Sequence, residues 1–132
     1  MPTLRRVLVP TDLSPAGNHA VAYAHAIVAD GGTVHVLHVE ESGHKASIER
    51  LRELIPEGAT RKRVETRLEV VSEPGVPAAI TAAAERLDVD VVCMGTRGRS
   101  GLPGVLLGSV AQAVVERCRR QVLLVPPQRA KS

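Results

Sequence analysis

Five short apolar runs rich in β-branched residues alternate with four runs of helical periodicity along the 132 residues. That alternation constrains the fold more than any other feature, because strands separated by helices pair in parallel, and a parallel sheet needs helices over both faces. The strand-like runs fall at residues 6–10, 33–39, 66–71, 90–94 and 121–125. Ser14 and Pro15 supply an N-cap and a first-turn proline for the first helix, and Ala20, Val21, Ala24, Ile27 and Val28 recur at helical spacing before Gly31-Gly32 stops it. A second helix carries Ile48, Leu51 and Leu54 and ends before Pro56. A third reopens after Pro74-Gly75-Val76-Pro77 with Ile80, Ala83, Ala84 and Leu87 as its stripe. The last starts at Ser109, buries Val110, Ala111, Val114, Val115 and Cys118, and leads into a strand that Pro126-Pro127 closes. The expected fold is α/β, a doubly wound five-stranded parallel sheet, in one domain spanning residues 1–132 with a frayed tail from 128.

The fourth strand ends in Gly95-Thr96-Arg97-Gly98, and nine residues later Gly108-Ser109 opens a helix. Glycine lets backbone approach a ligand closely, and the unpaired N–H groups of a helix start favour phosphate. A purely structural reading stands beside this one. Gly95 and Gly98 turn the chain, and Ser109 caps its helix with Gln112 completing a Ser-x-x-Gln capping box. Both readings are compatible with one loop.

The spacing G-x2-G-x9-G-S at Gly95, Gly98, Gly108 and Ser109 resembles the signature of the universal stress protein family, in its nucleotide-binding branch. The resemblance extends to Val7-Leu8-Val9-Pro10-Thr11-Asp12-Leu13-Ser14, similar to the family's first strand and aspartate loop, and to Gln121-Val122-Leu123-Leu124-Val125, similar to its closing strand. Residues 41–64 are the least family-like. The resemblance implies strand order 3-2-1-4-5, which sets the Thr11-Asp12 loop against the Gly95 loop across one crevice at the sheet's reversal point. It also implies ATP as the ligand. Pro10, Thr11 and Asp12 then lie near ribose and phosphates, the Val39 backbone reads the adenine edge, and Met94 lies against the nucleoside. Gly95, Gly98, Gly108, Ser109 and the N–H of Val110 hold the triphosphate. Arg97 and Arg99 sit in the same loop, where a polyphosphate would meet them. Taken from the residues alone, Asp12 also reads as a loop aspartate bonding its own backbone, and Val39 and Met94, as apolar residues at strand ends, read as core.

The remaining residues narrow the chemistry. The 17 Lys and Arg against 14 Asp and Glu leave a net charge of +3, a mild bias, and Tyr23 is the only aromatic residue. Single-stranded nucleic acid wants aromatic platforms, so no nucleic-acid partner is expected, and no apolar run approaches a membrane span. Met1-Pro2-Thr3-Leu4-Arg5-Arg6 leads straight into a strand, so a cytoplasmic protein is expected. Cys93 and Cys118 read as small core hydrophobes. His35 and His38 lie three apart on a strand and face opposite sides, which sets them apart from a shared metal; His19, His25 and His44 have no ligand spacing. There is no G-x-x-x-x-G-K-(S/T) loop, no G-x-S-x-G elbow and no assignable catalytic residue. The leading reading is an ATP-binding stress-response module, with Mg2+ held through the phosphates and a protein partner that the sequence does not identify. By resemblance it is a homodimer through the edge strand Val122, Leu123, Leu124 and Val125. Its rivals are a slow ATP hydrolase and a dimeric scaffold that binds no nucleotide.

Overall fold

Successive residues of a strand point to opposite faces, and the first strand already divides the core in two. In the computed structural model, which describes residues 3–40, 48–96 and 107–127, β1 (Arg6–Pro10) sends Val7 and Val9 to one cluster and Leu8 to another. β2 (Thr33–Glu40), β3 (Glu65–Ser72), β4 (Val91–Gly95) and β5 (Gln121–Val125) join it in one parallel sheet of order β3-β2-β1-β4-β5. α1 (Pro15–Ile27) and α2 (Ile48–Arg52) cover the Val7 and Val9 face through Ala20, Val21, Ala24 and Leu51. α3 (Val76–Arg86) and α4 (Ser109–Arg117) cover the other through Ile80, Ala83, Ala84, Ala111 and Val114, packed around Leu8, Leu37 and Val92. The doubly wound sheet is the one the alternation predicts. Val7-Leu8-Val9 of β1 and Val91-Val92-Cys93-Met94 of β4 read as unbroken apolar runs because both faces are buried, each full burial of a valine or leucine contributing about 1.5–3 kcal/mol.

Local chemistry sets the element ends. The last carbonyls of α1 lack helical partners, and the Lys62 ammonium reaches across to His25 O, Ala26 O and Val28 O at 2.9, 3.0 and 2.8 Å. One of the basic residues near position 62 is therefore a helix cap. α2 is shorter than its apolar spacing predicts. Leu54 and Ile55 leave it through tighter bonds to Leu51 O and Arg52 O, since a residue preceding Pro56 is disfavoured in helical conformation; Leu54 still packs on the core, while Ile48 is exposed. Val115 is also exposed, contrary to its expected burial. It lies one residue, and so about 100°, round from buried Val114, on a helix that presents a narrow stripe. Cys93 is wholly buried with its thiol pushed up to about 12 by desolvation, and Cys118 is half-buried; both are free. Residues 128–132 and His44 lie outside the described residues.

Candidate functional site

From β1 the chain winds outward to β2 and β3, then crosses back to β4 and β5, so its direction reverses between β1 and β4. Open parallel sheets bind ligands there, beyond the strands' carboxyl ends. The register loosens at that place. β1 pairs with β2 along its whole length, from Arg6 opposite Thr33 to Pro10 opposite Leu37, and β4 pairs with β5 from Val91 opposite Gln121 to Gly95 opposite Val125. Between β1 and β4 the pairing covers Val7 opposite Val91 and Leu8 opposite Val92, then stops. The two strands part before either ends, which opens the sheet at its reversal point.

One wall of the opening is the β1–α1 loop, held by its own side chains. Buried Pro10 ends β1. Thr11 donates its N–H to Leu37 O at 2.9 Å, its hydroxyl donates to Asn18 Oδ1 at 3.1 Å, and Thr11 Oγ1 accepts from Leu13 N–H at 3.0 Å. Asp12 Oδ1 accepts the Ser14 N–H at 2.9 Å, and Ser14 Oγ accepts the Gly17 N–H at 3.2 Å as the N-cap of α1. The loop packs so closely that a Cβ on Gly17 would lie 2.7 Å from Thr11 Oγ1 and 2.9 Å from Asp12 Oδ1. Leu13 takes a left-handed conformation, φ 66°, to complete the turn. The backbone-bonding role open to Asp12 from sequence is thus realised; its carboxylate also stands at the carboxyl end of β1, beside the opening.

β2 outruns β1 and forms a second wall. Beyond Leu37 it continues through His38, Val39 and Glu40, paired on its far side with Val70, Val71 and Ser72 of β3. The Val39 side chain packs into the cluster shared with α3 and α4. His38 turns to the α1 side and is buried: Nδ1 bonds Thr11 O at 2.9 Å, and Nε2 bonds Glu40 Oε1. A carbonyl oxygen only accepts, so Nδ1 carries a proton. The sequence offers His38 as a packed histidine and hides this link, because Thr11 lies 27 residues away.

The third side is the end of β4 and the start of α4. Met94 is buried in the same core cluster as Leu8 and Ile80, so its side chain is core. After Gly95, Thr96 N–H donates to Val125 O at 3.1 Å, and Thr96 O accepts the Gly108 N–H at 2.6 Å, which brings the two ends of the glycine segment together. Gly108, extended at φ −70° and ψ 161°, is the N-cap of α4, with no side-chain cap and no acidic residue in the first turn. Ser109 is therefore the first helical residue, exposed, and does not cap as the Ser-x-x-Gln reading expects; the Gln112 N–H bonds Gly108 O at 3.0 Å. Val110 is half-buried against the core. Arg97, Gly98 and Arg99 lie outside the described residues.

His25 and His35 are buried as well. His25 bonds Val21 O and Thr66 Oγ1 at 2.8 Å each, and burial pushes its titration down, as it does for His35 on the opposite face of β2 from His38. Among the described residues no three of His, Cys, Asp and Glu gather as metal ligands. No helix among them is long and apolar enough to cross a membrane.

Fold and crevice define a doubly wound α/β domain with its candidate ligand site at the reversal of strand order. The model of the universal stress protein family matches residues 3–126, and the chain belongs to that family. A universal stress protein of Methanocaldococcus jannaschii is 30% identical over 138 aligned positions, covering 92% of this chain and 81% of the relative. Among solved structures, a universal stress protein in complex with cAMP superposes with a TM-score of 0.77 at 26% identity, over 96% of this chain and all of the other. A universal stress protein from Archaeoglobus fulgidus gives a TM-score of 0.72 at 30% identity, over 93% of this chain and 44% of the other.

Proposed function

We propose that this chain binds ATP at the reversal point, in the nucleotide-binding branch of the family, and acts in the cytoplasm as a nucleotide-dependent stress-response module of one domain. The observation that carries the reading is the uncapped start of α4 beside the place where β1 and β4 part. Gly108 brings no side chain and the first turn no carboxylate, so no acidic group there competes with phosphate for the helix's first N–H groups. That donor set fits a triphosphate. Gly95, Gly108, Ser109 and Val110 would hold it, with Gly98, Arg97 and Arg99 adding backbone and charge. Asp12 already accepts a backbone N–H, which suits Mg2+ held through the phosphates better than a protein-built metal site. Pro10, Thr11, Asp12 and Met94 would bound the nucleoside.

The β2 backbone suits a base edge. In a parallel ladder the N–H and C=O of one residue point to the same neighbour, and alternate residues point to opposite neighbours. Leu37 O faces β1, where it accepts from Thr11. Val39, two residues on, faces the same way, past the last strand residue of β1. A nucleotide complex in a relative, the one with cAMP, supports an adenine ligand.

The chain's part is to bind and orient. Turnover, where it occurs, should fall far below the roughly 10 s⁻¹ of a median enzyme, since no residue is assigned as catalytic base. β5 is an edge strand with Val122, Leu123 and Leu124 half-buried, and an uncovered apolar edge invites pairing with a second copy, so we assign a homodimer to it. The test is to denature the purified protein and identify any released nucleotide by mass, and to add ATP, ADP and AMP with Mg2+ to the emptied protein. ATP should raise the melting temperature. A curve unmoved by all three, with nothing released, would overturn the reading and favour a scaffold.

A further inference from the structure

The hydrogen-bond ladder between β1 and β2 ends in an unusual way. Thr11 N–H continues it by bonding Leu37 O, and the next rung of a parallel ladder would run from Val39 N–H to Thr11 O. Thr11 O turns instead to the His38 ring, at 2.9 Å from Nδ1. The ring is held in that pose from its other side, where Nε2 meets the Glu40 carboxylate, and it is buried against solvent. One strand thus bonds the carbonyl with a side chain where its own main chain is the ordinary partner.

We infer that His38 is a positioning residue that keeps the Val39 N–H open to a ligand by occupying the Thr11 carbonyl in its place. The inference rests on the nucleotide reading, and it assigns this chain's selectivity for a base to a side chain that does not itself touch the base. His38 acts through two neighbours. It spares the Val39 main chain from β1, and it ties the Thr11-Asp12 loop to the end of β2, so that the base-facing and sugar-facing walls keep one spacing. Removing the Nδ1 donor lets Thr11 O fall back on Val39 N–H, which closes the ladder by one rung and withdraws the donor.

Two amides separate the roles of the ring nitrogens. In His38→Asn the amide N–H stands near the position of Nδ1 and can still serve Thr11 O; in His38→Gln it reaches toward Glu40 and leaves Thr11 O to the main chain. The probes are Mg-ATP and inorganic tripolyphosphate, which shares the phosphates but has no base. His38→Gln should weaken ATP about tenfold, the effect of one lost hydrogen bond, while tripolyphosphate binds as to the parent. His38→Asn should stay within about twofold for both. Amide hydrogen exchange gives the reading that loss of packing would not: at Val39 it should be slower in ligand-free His38→Gln than in the parent, whereas simple loosening makes it faster. Should the glutamine variant fail to fold, the parent alone decides, because ATP should protect the Val39 amide and tripolyphosphate should not. Equal weakening of both ligands, faster Val39 exchange in His38→Gln, or ATP that leaves the parent's Val39 amide unprotected overturns the inference. A parent that binds neither probe overturns the nucleotide reading first, and this inference with it.

Discussion

Of the helices that begin at the carboxyl edge of the sheet, α1 and α4 begin in opposite ways. α1 is closed by its own sequence: Ser14 caps it, Asp12 bonds the cap, Pro15 brings no N–H, and Gly17 lets the loop settle onto the first turn. α4 starts on Gly108 with no side-chain cap, its entry anchored by one backbone bond from Gly108 N–H to Thr96 O. The same donors are satisfied internally at one helix and left to solvent or a ligand at the other. α3 also starts on a glycine, Gly75, with no side-chain cap, so it is the place of the α4 start, next to the end of β4 where β1 and β4 part, that the proposed function uses as an anion site.

The sharpest way to break this contrast is to put a side chain on the open helix. A ligand that binds only the native state stabilises it by about 2.7 kcal/mol at one hundred times its dissociation constant, roughly 8 °C for a chain of this length. Gly108→Val should remove that increment in a thermal melt with Mg-ATP while the ligand-free melting temperature moves much less. Loss of the ligand-free fold instead would make Gly108 a turn residue only.

The closed helix should answer oppositely. Gly17→Ala forces a Cβ to 2.7 Å from Thr11 Oγ1 and 3.2 Å from Asp12 N, and the gain in helix propensity offsets only part of that overlap. We expect a loss of about 1–2 kcal/mol in urea unfolding with no ligand present. Unchanged stability would mean the loop yields freely.

The smallest effects compare two serines. Ser14→Ala removes a cap that accepts the Gly17 N–H and should cost about 1 kcal/mol, whereas Ser109→Ala, exposed at the first helical position, should stay within about 0.5 kcal/mol. Equal costs measured by denaturant midpoint would show that Ser109 caps after all, and the asymmetry between the helices would shrink.

Much of this architecture is legible along the chain. The bounds of β1 and β5, and the start of α1 at Ser14-Pro15, follow from residue types a few positions apart. The stripe of α3 does too, with Ile80, Ala83 and Ala84 all buried. Where the reading of α4 goes astray, the deciding contact is remote. Gly108 is the cap, in place of Ser109, because Thr96 O holds its N–H, and Thr96 is twelve positions back across the glycine segment. Val115 looks like core because it neighbours Val114, but a nine-residue helix lying against α3 turns only a narrow stripe inward. Within the candidate site, Thr11, Asp12, Gly95, Gly108 and Ser109 carry visible ligand chemistry, and the described structure brings them to the carboxyl edge. His38, Glu40 and Gly17 are invisible as site residues, since nothing near them in sequence sets them apart.

The sequence by itself determined which segments become strands and helices and which strand faces are apolar, because each depends on the order of residue types within a turn or two of chain. Tertiary structure alone decided that β1 and β4 part after Leu8 and Val92, and that the Thr11 carbonyl goes to the His38 ring. Those outcomes are contacts between segments tens of residues apart. Their geometry exists only once the helices on both faces have fixed how the strands pair.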